Sequence, residues 1–264
     1  MMYAYTVQIF LTVLFGPVFR ILYLAAWRKG SDASGTFPSL MSKLKTVQTA
    51  FLASNGFFVG ASAVASLVYL SQHPSIFEIA EIQAMAFFQV NNVLIIFLCL
   101  VRPVDKFKTR LALHATVFVL AIVALGRSQL SSSKRRNWLL ASQGCTHKSA
   151  EYGVITPVLY PSYAVVLFAA AGIIGFWIQS LKGVFKEKKA VVLFWVLMII
   201  WVLLLGLMIS GMILGLTMMW RQRMYLRSVA GDKFEDDTWG FGQVAALFIW
   251  APIPIELLYL IQDL

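Results

Sequence analysis

The chain has 264 residues, 59% of them hydrophobic and only 13% charged, with a mean hydropathy of +0.77. A soluble domain carries roughly a quarter charged residues, so half that complement cannot solvate a globular surface and the bilayer is left as the main solvent. Disorder is excluded by the same numbers, and the formal charge of +10 reads as basic loops beside a membrane rather than as a nucleic-acid surface.

The apolar runs predict an all-α polytopic bundle of seven spans, forming a single integral membrane domain over residues 1–264. The first, Tyr3–Trp27, has no basic stretch ahead of it, so it reads as a retained helix rather than a cleaved signal. The second, Thr46–Leu70, carries Gly56-x-x-x-Gly60, a spacing that lets helices approach closely in lipid. The third is Ile79–Val101. The fourth, Leu111–Gly126, is the shortest; about 16 residues reach roughly 24 Å across a core of about 30 Å, unless the helix starts earlier, at Phe107. The polar stretch Arg127–Pro157 is expected to be a solvated loop.

The fifth span is Val158–Leu181. The sixth, Ala190–Met219, is longer than one crossing needs and holds Gly206-x-x-x-Ser210 and Gly211-x-x-x-Gly215. These small-residue pairs are expected to serve packing within the chain, with a dimer face as the alternative. The seventh, Gly240–Gln262, contains Pro252 and Pro254. Two missing backbone donors predict a kinked or broken helix, held against other helices rather than lipid. The acidic run Asp232–Asp237 ahead of it favours the positive end of that helix, with Asp237 or Thr238 as the cap.

Lys and Arg set orientation. The first, third and fifth loops hold twelve, including Arg28, Lys43, Lys106, Arg110, Lys182 and Lys188; the even loops hold nine, including Lys134, Arg135, Arg136 and Arg221. The bias places the N-terminus outside or in the lumen and the C-terminus in the cytosol. The partner this implies is the bilayer of the endoplasmic reticulum or the plasma membrane, with oligomeric state open.

Ionisable and amide side chains at membrane depth carry the chemical signal, because each is costly unless paired or set in a cavity. Arg20 and Glu256 each lie about five residues past the centre of parallel spans, roughly 7.5 Å toward the cytosol, and are expected to pair. With Asn55, Asn91 and Asn92, and Gln89 close by, they form a candidate polar cluster. Two readings stay open: a structural salt bridge with interhelical hydrogen bonds, or a site where Glu256 acts as an acid on a lipophilic substrate. No cofactor and no metal is called for. His73, His114 and His147 lack ligand spacing, and Cys145-x-His147 lacks an orienting partner.

The third span, from Glu78-Ile79-Ala80-Glu81 to Gln89-Val90-Asn91-Asn92, and the last, opened by Asp-Asp-Thr-Trp-Gly-Phe-Gly-Gln, resemble a group of small polytopic fungal membrane proteins. An acidic–Trp–x–Phe–Gly–Gln opening to the last helix recurs in that group, most of which has no assigned activity. In size and span count the chain is also similar to the seven-helix terpene cyclases of fungal meroterpenoid pathways. That likeness implies acid-initiated cyclisation of a prenylated substrate in specialised metabolism. The chain departs from those cyclases in having Glu256 as its one deeply placed acid. A non-catalytic endomembrane accessory protein and, less favoured, a seven-helix receptor are the competing classes.

Overall fold

A computed structural model describes residues 2–22, 36–72, 76–99, 107–134, 188–230, 250 and 253. Among these every regular element is a helix. Helix α1 (Met2–Val13) runs into a π-turn (Leu14–Val18); α2 is Thr36–Ser71, α3 Ile76–Cys99, α4 Phe107–Lys134 and α5 Lys188–Ala230. Among the described residues, five stretches are long and apolar enough to cross a membrane: Tyr3–Leu22, Leu44–Ser71, Glu78–Cys99, Thr109–Ser131 and Met198–Met224. They correspond to the first four expected spans and the sixth. The expected fifth span lies outside the described residues, as does the seventh apart from Trp250 and Ile253.

Two expectations are corrected. The fourth span is not short: it covers 23 residues, and its helix continues through Arg127 to Lys134 rather than giving way to loop. The apolar run stops at Gly126 because Arg127 is charged, yet Arg127 faces outward while Leu125, Ser128 and Gln129 continue the buried face. Ser128 returns its hydroxyl proton to the carbonyl of Leu125 at 2.7 Å, so its polarity costs the helix little.

Helix α3 is the hub. In its membrane-crossing stretch 89% of residues are buried, against 33% for those of α4 and α5. A helix apolar on all sides belongs in the interior, and here α5 and α4 flank α3 along its length. Helix α5 meets it along Trp201, Leu205, Met208, Met212, Gly215 and Met219, spaced alternately four and three apart so that one seam faces α3. The opposite side of α5 exposes Val202, Leu203, Leu207, Ile213 and Leu214. An apolar outer face around a packed interior is what lipid as solvent selects.

Contacts between helices fix their directions. Tyr5, Gln8 and Phe15 meet Phe58, Asn55 and Phe51, so α1 and α2 are antiparallel. Gln8 and Thr12 meet Gln89 and Asn92, so α1 and α3 are parallel. Gly56 and Gly60 back onto Leu113 and Val117, which makes α2 and α4 parallel. Against α3, Trp201 bonds to the carbonyl of Leu98, Gly211 faces Asn91 and Gly215 faces Phe88, so α5 is antiparallel to it. Helices α2, α4 and α5 therefore share one direction.

The π-turn has an identifiable cause. Pro17 lacks a backbone donor, and the N–H of Phe19 reaches back five residues to the carbonyl of Leu14. The carbonyl of Phe15, which an α-helix would give to Phe19, is thereby freed. Gln48 of α2 supplies the missing donor, Nε2 to oxygen at 3.2 Å. Gln48→Leu leaves that carbonyl unmet in the interior and is expected to cost about 1–3 kcal/mol of unfolding free energy in detergent. Pairing it with Pro17→Ala should recover part of the loss by letting the α-helical bond re-form; a loss unchanged by Pro17→Ala would separate the two features.

Candidate functional site

A buried polar network lies where α1, α2 and α3 meet. Gln8 donates from Nε2 to Asn55 Oδ1 and to Gln89 Oε1, both at 3.0 Å. Gln89 donates back from Nε2 to Gln8 Oε1 at 3.3 Å. Asn92 donates from Nδ2 to Asn55 Oδ1 at 2.9 Å, and Thr12 donates its hydroxyl to Asn92 Oδ1 at 2.7 Å. All five side chains are at most 1% exposed. Their spacing explains the convergence: Gln8 and Thr12 are one turn apart on α1, Gln89 and Asn92 one turn apart on α3, so each pair shares a face.

Aromatic rings close the network on both sides along the bundle axis. Tyr5 packs edge-on against Phe58 and Phe88, with ring centroids 5.5 and 5.2 Å away. Phe15 stacks on Phe51 at 5.3 Å. Trp250, from the predicted seventh span, lies 6.2 Å from Phe51 and 5.4 Å from Phe58, and the N–H of Ile253 bonds to its carbonyl at 3.1 Å. Both Trp250 and Ile253 are buried. Nearby, Ser62, Ser66, Met85 and Gln89 help to line a narrow crevice between α2, α3 and α4, too constricted to admit a water. Its hydroxyls are turned back onto their own helix: Ser62 bonds to Phe58 and Ser66 to Ser62.

The residues singled out from the sequence divide three ways. Asn55, Asn92 and Gln89 come together as described. Asn91 faces the other way: it donates to the carbonyl of Phe87 at 2.9 Å in its own helix and lies against Gly211. Consecutive residues on a helix cannot share a face, and Asn91 and Asn92 serve different neighbours for that reason. Arg20 is not bonded to any of the five network residues. It stands one turn beyond Gly16, which backs onto Ile95 and Cys99. That places it eight residues past Thr12, roughly 12 Å further along the axis. Glu256, its expected partner, lies outside the described residues.

Gln8 and Thr12 were the missing members. They sit near the start of an apolar first span, where only Arg20 was singled out. Their four-residue separation inside a hydrophobic run was the available signal.

His114 is fully buried in α4, where its Nδ1 faces the carbonyl of Arg110 at 2.9 Å and its Nε2 has no hydrogen-bond partner. Arg110 itself donates to the carbonyl of Thr49 at 2.9 Å, tying the start of α4 to α2. Among the described residues no three His, Cys, Asp or Glu side chains gather as a metal site would need, and Cys99 is a free, buried thiol. At the opposite end of the bundle Tyr69 donates its hydroxyl to Glu78 across the turn from α2 to α3.

No family model, curated protein or solved structure matches the chain.

Proposed function

We propose that the protein is a seven-span membrane protein with a non-catalytic, accessory role in an endomembrane, its polar interior acting as an interhelical clamp. The observation that carries this is the state of the network: five neutral side chains are bonded to one another at the middle of the bundle. Polar groups in a catalytic centre are held toward a substrate; these are engaged with neighbouring helices. The span count is supported by direction. Helices α4 and α5 point the same way, so a chain that joins them through a bilayer must cross it an odd number of times, and the sequence between them holds one apolar run of spanning length, Val158–Leu181. Arg20, Arg110 and the start of α5 at Lys188 share one end of the bundle, which supports that end as the cytosolic one and the N-terminus as lumenal.

One observation favours an enzyme as the second reading. Trp250, which precedes Pro252 in the sequence, is seated on Phe51 and Phe58, the residues flanking Asn55 on α2. In that reading Glu256 is the acid acting on a lipophilic or prenylated substrate. One experiment separates the two. The gene is deleted in the source organism and restored as wild type or Glu256→Gln, and lipophilic metabolites are profiled. The accessory reading expects Glu256→Gln to restore the wild-type profile. A product that disappears with Glu256→Gln at normal protein level overturns it in favour of acid catalysis.

A further inference from the structure

Two buried hydrogen-bond donors near the network have no acceptor. Asn55 accepts two bonds at Oδ1, while its Nδ2 has none. The indole Nε1 of Trp250 has none either. Asn55 is 0% and Trp250 4% exposed, so bulk water does not reach them. A buried donor left without an acceptor is costly, and two in one neighbourhood call for a reason.

They belong to one neighbourhood by construction of the helix. Residues 51, 55 and 58 recur at four and three along α2, so Phe51, Asn55 and Phe58 share a face. The Trp250 ring packs on both flanking phenylalanines, and its indole therefore lies over the stretch that holds Asn55. The planar amide sets the rest: with Oδ1 turned into the network, Nδ2 is directed away from it.

We infer that Asn55 Nδ2 and Trp250 Nε1 form a donor pair for the carbonyl oxygen of an uncharged lipophilic molecule, held against Phe51, Phe58 and Trp250. One carbonyl oxygen has two lone pairs and can accept from both donors. A carboxylate or phosphate would satisfy the same geometry, but an ion at this depth carries a desolvation cost that a ketone or ester does not. The aromatic walls supply the apolar contact such a molecule needs, with few polar groups fixing its orientation. This ligand is additional to the clamp, and its binding does not depend on whether the protein is catalytic.

The test uses purified full-length protein in an alkyl maltoside, which has no ester of its own. Methyl stearate and octadecane, matched in chain length, are added separately, and the thermal midpoint is read. Methyl stearate is expected to raise the midpoint more than octadecane does, and Trp250→Phe, which keeps the ring and removes the N–H, is expected to cut that ester-specific excess by at least half. Equal shifts from ester and alkane overturn the inference, as does an undiminished excess in Trp250→Phe. If Trp250→Phe does not fold, the infrared carbonyl stretch of isotope-labelled ester decides the matter on the wild type. A band lowered from its position in protein-free micelles supports the donor pair, and an unmoved band overturns it.

Discussion

Asn55→Ala is expected to lower the unfolding free energy in detergent by about 2–4 kcal/mol, the largest loss among single substitutions in the polar network. Asn55 Oδ1 is the acceptor shared by Gln8 and Asn92. Its removal breaks contacts from α2 to both α1 and α3 and leaves the Asn92 amide without that acceptor in the interior. Single interhelical hydrogen bonds in membranes average only about 0.6 kcal/mol and reach about 1.7. The prediction exceeds that range because two bonds fail together and a donor is stranded. Asn91→Ala is the control, since Asn91 bonds within its own helix and holds no neighbour by hydrogen bond. Denaturant titration of both variants gives the comparison. A loss in Asn55→Ala no greater than in Asn91→Ala would mean the network does not clamp the helices.

The second large effect is steric. A Cβ on Gly211 would stand 2.7 Å from Asn91 Oδ1, and one on Gly215 would stand 3.1 Å from Phe88 Cβ and 3.2 Å from the carbonyl oxygen of Ala84. The latter contact is with backbone, which cannot swing aside. Gly215→Val is therefore expected to force α5 away from α3 and cost about 1–3 kcal/mol or more, with Gly211→Val similar. Gly206, at the next small-residue position along α5, meets nothing within 4 Å. Gly206→Ala should be neutral or stabilising by up to about 1 kcal/mol through helix propensity alone. Thermal midpoints of the three variants, measured side by side, check the contrast. Equal losses at Gly206 and Gly215 would remove the assigned α3–α5 interface.

These pairs also show how far the sequence carries. Gly56-x-x-x-Gly60 and Gly211-x-x-x-Gly215 are expected to pack within the chain, and the four glycines meet α4 and α3 respectively. Gly206-x-x-x-Ser210 has the same spacing, but both residues face outward, and Ser210 bonds to the carbonyl of Gly206 in its own helix. Spacing states that a helix has a narrow face; which face is covered depends on tertiary contacts. The positions of the first four spans and the sixth were legible because hydrocarbon imposes a length of apolar residues. The end of α4 was not, because a charge that terminates hydropathy does not terminate a helix when it points outward.

The polar centre was legible in part for a related reason. Asn55 and Asn92 are conspicuous as amides inside apolar runs, whereas Gln8 and Thr12 lie within the first few turns of the chain, where polar residues attract little notice. Depth was the harder quantity. Arg20 was assigned to the cluster by counting from span midpoints; the five network side chains bond to one another without it, and Glu256, its expected partner, lies outside the described residues. Counting locates a residue along its own helix, while relative depth depends on how neighbouring helices slide past one another. That offset is set by packing, here by Gly16 against Ile95 and Cys99.

Side-specific labelling tests the central claim most directly: a membrane bundle in which α4 and α5 run in the same direction. Cys99 and Cys145 are replaced by serine or alanine, and single cysteines are introduced as Lys134→Cys, at the end of α4, and Lys188→Cys, at the start of α5. In sealed vesicles of known orientation, a membrane-impermeant maleimide is applied from outside, then after permeabilisation. The account predicts that the two positions label from opposite sides, with Lys188→Cys on the cytosolic one. Labelling of both from the same side would contradict the shared direction of α4 and α5, and with it the odd crossing between them.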